Sequence, residues 1–67
     1  MGRKNSHLDE IGKCIGHKIC SLRLAKGLSR QQLSKAIGVT QQQLQKYETG
    51  ANRVTASRLL LIAKALE

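Results

Sequence analysis

Proline, tryptophan and phenylalanine are absent from this 67-residue sequence, and Tyr47 is its one aromatic residue. Any core is therefore aliphatic. Apolar residues still make up 40% of the chain, too many for a disordered polar tail and enough for one compact domain near the lower size limit. Acidic residues are also scarce, four against twelve Lys and Arg, which leaves a net charge of +8. A field of that sign on so small a body implies a polyanionic partner, nucleic acid before a membrane surface. No apolar run is long enough to span a bilayer, and the opening "MGRKNSHLDE" has no apolar signal-peptide core, so a cytoplasmic protein is expected.

Catalytic constellations are missing as well. Asp9 and Glu10 are adjacent and point apart on a helix, and no Ser or Cys has triad spacing around it. An enzyme is not expected, nor a cofactor or a small-molecule ligand. Cys14 and Cys20 would lie about 9 Å apart along a helix, beyond disulfide reach within one chain. With His17 they form C-x-x-H-x-x-C, but steps of three drift around the helix and no fourth ligand is near, so no metal site is expected.

What the sequence does contain is helical punctuation. Residues 1–8 read as a polar arm carrying Arg3 and Lys4, and residues 9–67 as the domain. Leu8, Ile11, Ile15, Ile19 and Leu22 follow the three- and four-residue spacing of one amphipathic helix, capped by Asp9 or Ser6, loosened early by Gly12 and Gly16, and ended by Gly27. The same start signal then occurs twice. Ser29 caps with Gln32 and Leu28 staples to Leu33; Thr40 caps with Gln43 and Val39 staples to Leu44. Gly38 and Gly50 stop these two short helices, and the turn of about three residues between them suits a steep crossing. Thr55 caps a last helix over 56–66, whose face is Leu59, Ile62, Ala63 and Leu66. No strand pattern or repeat is present, so the expected architecture is all-α with four helices, the second and third forming a helix-turn-helix.

In "VTQQQLQKYETG", Leu44, Tyr47 and Glu48 share one side of the third helix, while Gln42 and Lys46 centre the other, flanked by Gln41 and Gln45. That outer face holds three amides and one cation, and no acid. A glutamine side chain donates and accepts at once, which matches the N7 and N6 edge of adenine in the major groove. Arg30 sits in the first turn of the second helix, where a cation opposes the helix dipole unless an anion joins it. A phosphate would supply that anion. Asn52 and Arg53, in the loop after the third helix, are placed to hold another.

Together, "IGHKICSLRLAKGLSRQQLSKAIGVTQQQLQKYETG" and "RLLLIAKALE" resemble the Cro/cI-type (Xre-like, lambda-repressor-like) helix-turn-helix DNA-binding family over about residues 15–66. The resemblance implies a transcriptional regulator, most simply a repressor, that binds double-stranded DNA as a homodimer. It implies Leu33, Ile37, Val39, Leu44 and Tyr47 as packing positions, and Gln41, Gln42, Gln45 and Lys46 as the base-reading set. Arg30, Gln31, Asn52 and Arg53, with Arg3 and Lys4 of the arm, become the phosphate contacts. Arg23 and Glu48 match a pair that joins the first helix to the end of the third. The sequence also departs from the family's pattern: Ser34 stands where alanine is usual, its hydroxyl able to bond the Arg30 carbonyl. Arg30 replaces a common glutamine, and Val54 a frequent proline. The sequence ends at Glu67, where many members continue into a fifth helix, so that helix is expected to be absent. Leu60 and Leu61 then lack an assigned partner, and a dimer contact is set ahead of a further C-terminal segment or a small core. The competing reading is a protein-interaction module of the same fold, antitoxin-like or a regulator's partner, that binds through these leucines.

Overall fold

The computed structural model describes residues 6–67, with side chains from residue 10 onward. Its four helices are α1 (Ser6–Ala25), α2 (Arg30–Ile37), α3 (Gln41–Thr49) and α4 (Ala56–Leu66), and no strand occurs among the described residues. The helix starts follow from side chains that accept backbone N–H groups which the first turn leaves without partners. Ser29 accepts from Gln32 N at 3.0 Å while the Gln32 side chain accepts from Ser29 N at 2.8 Å, closing a capping box. Thr40 accepts from Gln43 N and Thr55 from Arg58 N, each a cap of one side-chain bond. The second expected box thus lacks the reciprocal bond by which the first is closed.

α1 begins at Ser6, inside the stretch expected to be the arm, and is continuous through both glycines. Its end at Gly27 and that of α2 at Gly38 share one geometry. Each glycine has a positive φ, and the following residue donates back to the carbonyl five positions earlier, Leu28 N to Arg23 O and Val39 N to Ser34 O. Only three residues, Gly38 to Thr40, separate α2 from α3, so the two helices meet at a short corner.

The core is Ile19 from α1, Leu33 and Ile37 from α2, Leu44 and Tyr47 from α3, and Ile62 and Leu66 from α4. Leu33, Ile37, Leu44 and Ile62 are the largest fully buried side chains. Burial of each such side chain contributes about 1.5–3 kcal/mol before the cost of ordering it. Ile15, Leu28, Val39, Val54 and Ala65 close the edges. Two members of the expected α1 face lie outside this core: Ile11 and Leu22 are exposed, as are Leu59 and Ala63 of the expected α4 face, while the Leu8 side chain lies outside the described ones. Ile11 lies on an early turn of α1 beside the loop 52–54, whereas Leu22 and Leu59 line an open groove between α1 and α4. No helix among the described residues is long and apolar enough to cross a membrane.

Gly16 has the opposite character to the one expected of it. It is buried, and a Cβ there would stand 2.2 Å from Tyr47 O and 2.6 Å from Glu48 O. Helix α1 therefore approaches the end of α3 with backbone against backbone, at a spacing only glycine permits. Gly12, one turn earlier, has nothing within 4 Å of its added Cβ. The first glycine is tolerated by the helix; the second sets how close α3 comes.

Candidate nucleic-acid interface

Helix α3 is amphipathic in the manner its sequence implies. Leu44, Tyr47 and Glu48 are buried, Gln43 is half-buried behind its cap, and Gln41, Gln42, Gln45 and Lys46 are exposed. All four expected base-reading residues therefore lie on the accessible side. Arg30, at the start of α2, lines one open depression with Gln41, Gln42 and Gln45. The α2–α3 corner thus brings a cation to the amide face. Gln31 follows it on the first turn of α2 and is exposed.

Beneath this surface lies a buried polar cluster. Arg23 Nε donates to Glu48 Oε2 at 2.8 Å and Arg23 Nη2 to Glu48 Oε1 at 3.4 Å, joining α1 to α3 as expected. Arg23 Nη1 also donates to Leu28 O at 2.9 Å, and Nη2 reaches Cys20 Sγ at 3.7 Å. Its guanidinium is thereby satisfied by groups from α1, the α1–α2 turn and α3, as a buried charge requires. The hydrogen bond to Glu48 raises the Arg23 pKa above its usual value, against the lowering effect of burial. Arg23 is consequently charged throughout the accessible pH range.

Arg30 joins the same carboxylate. Its Nε donates to Glu48 Oε1 at 2.9 Å, with the Arg30 side chain 44% exposed and that of Glu48 only 3%. This corrects the expectation that the cation at the start of α2 waits for an outside anion: Glu48 supplies a negative charge from within the fold. The pairing was illegible in sequence because it spans 18 positions and depends on the corner angle. Ser34 also differs from expectation. It is buried, as a small residue at the helix crossing should be, but its hydroxyl donates to Gln31 O at 3.1 Å and not to Arg30 O. In the i−3 rather than the i−4 position, the acceptor is the carbonyl that the side chain's own rotamer reaches.

Asn52 and Arg53 are placed apart from Arg30. Asn52 N donates to Lys46 O at 3.2 Å, which folds the loop back onto the end of α3. Asn52 and Arg53 line a separate depression with Val54 and with Ile11, Gly12 and Ile15 of α1. The expected phosphate contacts therefore form two groups, Arg30 with Gln31 at the corner and Asn52 with Arg53 against α1. Arg3 and Lys4 lie outside the described residues.

Arg58 was not singled out by sequence reasoning. Its Nη1 donates to Ile37 O at 2.7 Å, so α4 completes the C-terminal end of α2 beside Gly38. A cation at the carbonyl end of a helix is favoured by the dipole, but the partner helix comes from 21 positions away and no local signal marks it. Cys14 is exposed and Cys20 half-buried, both as free thiols. Among the described residues, no three His, Cys, Asp or Glu side chains are grouped to hold a metal ion.

Leu60 and Leu61 are exposed on α4, at 67% and 45%. A neighbouring groove between α1 and α4 is lined by Ile15, Lys18, Ile19, Leu22, Leu59, Ile62, Ala63 and Leu66, and its wall is apolar apart from the Lys18 terminus.

Comparison with known proteins agrees with this geometry. A helix-turn-helix family model matches residues 21–67, which include α2, α3 and α4. The chain is 63% identical over all 67 residues to an uncharacterized HTH-type transcriptional regulator of Rickettsia prowazekii, 52% of which it covers. It is 43% identical over 65 residues, 97% of its length, to the Sinorhizobium fredii HTH-type regulator y4aM, covering 46% of that protein. Over 52 residues, 78% of its length, it is 50% identical to an uncharacterized transcriptional regulator in the ATPase CF(0) region of Rhodospirillum rubrum, covering 48% of it. The chain thus spans about half the length of the curated relatives it matches. No solved structure matches significantly. With four helices, a glycine-turned α2–α3 corner and the matched segment running across it, the chain belongs to the Cro/cI-type helix-turn-helix family of transcriptional regulators.

Proposed function

We propose that this chain binds double-stranded DNA sequence-specifically, as a cytoplasmic repressor and not as an enzyme, with α3 in the major groove. Gln41, Gln42, Gln45 and Lys46 read base edges. Arg30, Gln31, Asn52 and Arg53 hold phosphates, with Arg3 and Lys4 of the N-terminal arm adding to them, and residues 9–67 form the reading domain. The observation that carries this reading is the depression in which Arg30 stands beside Gln41, Gln42 and Gln45, on the exposed side of a helix that follows a tight corner. Amides in that position offer paired donors and acceptors to a base edge, and the cation beside them favours a polyanion.

Selection from a pool of random duplexes tests the reading, since the recovered site reports sequence, symmetry and spacing together. With about six phosphates neutralised per monomer, the logarithm of affinity falls against that of salt concentration with a slope of about −5. Gln42→Ala flattens preference among sequences, whereas Arg30→Ala weakens all duplexes alike. Failure to enrich any sequence, with equal affinity for every duplex, sinks the reading role. Repression is checked separately by placing the recovered site in a reporter promoter.

Two copies on one duplex, with half-sites about one helical turn apart, complete the proposal. Leu60, Leu61 and the apolar α1–α4 groove support an interface on that side. The same apolar surface favours a second reading, a protein-interaction module. A mixture with random duplex at low salt separates the two, because an interaction module need show no salt-dependent DNA affinity.

A further inference from the structure

The Arg30 side chain is attached at a place where an isolated helix would not favour it. It occupies the first turn of α2, which holds no acidic residue, and the helix dipole there opposes a cation. Nearly half of the side chain is exposed, and an exposed arginine ordinarily samples many rotamers, with an entropic cost when a ligand selects one. Here the sampling is restricted. Glu48, 3% exposed and fixed by two hydrogen bonds from Arg23, accepts Arg30 Nε on Oε1. That bond uses one of five guanidinium N–H donors, and the arginine still lines the depression with Gln41, Gln42 and Gln45.

Resting on the DNA-binding reading above, we propose that Glu48 is a positioning residue of the interface. Its carboxylate holds the Arg30 guanidinium beside the amide face, so that the cation meets a backbone phosphate in a preset orientation. Two arginines share one carboxylate, so the cluster keeps a net positive charge toward the ligand. Glu48 itself is buried and touches no DNA; it acts through Arg30. Both of its oxygens are needed, Oε2 for Arg23 Nε and Oε1 for Arg23 Nη2 and Arg30 Nε.

Charge and position predict opposite signs for one substitution. Glu48→Gln adds a unit of net positive charge, which by electrostatics alone tightens DNA binding. An amide provides a single acceptor oxygen for the two arginines, so positioning predicts weaker binding instead. The probe is a fluorescein-labelled duplex of the sequence that selection recovers, with a random-sequence duplex beside it, titrated by anisotropy. We expect Glu48→Gln to weaken binding of the recovered duplex by about fivefold or more, the size expected when a charge-assisted hydrogen bond to phosphate is partly broken. Arg30→Lys keeps the charge but loses the planar fork, and is expected to weaken binding to a similar degree. The double variant should bind little worse than Arg30→Lys alone, because Arg30 then has no fork for the carboxylate to orient and only the Arg23 bonds remain to be lost.

A purely structural role for Glu48 would persist in the Arg30→Lys background, so multiplying effects overturn the proposal, as does tighter binding by Glu48→Gln. Should Glu48→Gln fail to fold by circular dichroism, the exposed position decides. Arg30→Lys must then lose most of the affinity that Arg30→Gln loses, and wild-type affinity in Arg30→Lys overturns the proposal. Absence of salt-dependent binding by the wild-type chain to either duplex overturns the DNA reading itself, a different result from wild-type binding that these variants leave unchanged.

Discussion

At the α2–α3 corner Leu33 and Leu44 are completely buried, both helix starts are capped, and the one buried carboxylate among the described residues is shared between two arginines. Along the α1–α4 side Leu22, Leu59, Leu60 and Leu61 are exposed around an open apolar groove. Both regions are built from amphipathic helices, α4 being far richer in apolar residues than α2 or α3. The difference is that directional bonds fix the corner from several helices at once, whereas the groove is walled by apolar side chains and the aliphatic stem of Lys18 from two helices and is open. Apolar patterning alone brings helices together; hydrogen bonds and close backbone approach determine the angle at which they stop.

The sharpest way to break that contrast is at Gly16. Gly16→Ala forces α1 and α3 apart, because the new Cβ meets backbone carbonyls that cannot rotate away, and we expect a loss of about 3 kcal/mol or more in urea unfolding. Gly12→Ala on the same helix meets open space and is expected to gain about 0.5–1 kcal/mol from helix propensity. Equal effects at the two glycines would remove the argument that α3 is set by backbone approach. Next in size is the leucine comparison. Leu33→Ala at the corner should cost about 2–5 kcal/mol, while Leu60→Ala should remain within about 0.5 kcal/mol of wild type at concentrations where the chain is monomeric. A large loss at Leu60, growing with protein concentration, would instead place that leucine in an assembled interface.

Smallest is the cap. Ser29→Ala removes one acceptor from the capping box and should cost about 1 kcal/mol, more than Thr40→Ala, where the reciprocal glutamine bond is absent. Thermal melts of the pair sharpen the comparison between the two starts of the corner.

Much of this architecture was legible because its causes are local. Ser29, Thr40 and Thr55 announce helix starts within four residues, and Gly27, Gly38 and Gly50 announce stops through the backbone region they alone enter freely. The buried side of α3 followed from the 3.6-residue period, as did the exposure of Gln41, Gln42, Gln45 and Lys46, whereas the packing positions of α2 followed from the family resemblance. What stayed hidden depends on the distance between helices. Arg30 looked like a lone cation because Glu48 is remote in sequence; Arg58 went unmarked because Ile37 O is on another helix. Ile11 and Leu22 looked like core because period does not reveal how much of a helix face its neighbours cover. Asn52 and Arg53 were expected on the far side of the reading helix from Arg30, but their closeness to α1 had no local signal.

Gly16 carries a consequence for how this protein can change over generations. Every missense codon at that site enlarges a side chain that already has the least possible bulk, so substitution has no conservative direction there. Drift can explore Gly12, one turn away, without disturbing the reading helix. A saturation library should therefore show a sharp intolerance at residue 16 and a permissive position at residue 12, a contrast between two glycines that hydropathy does not foresee.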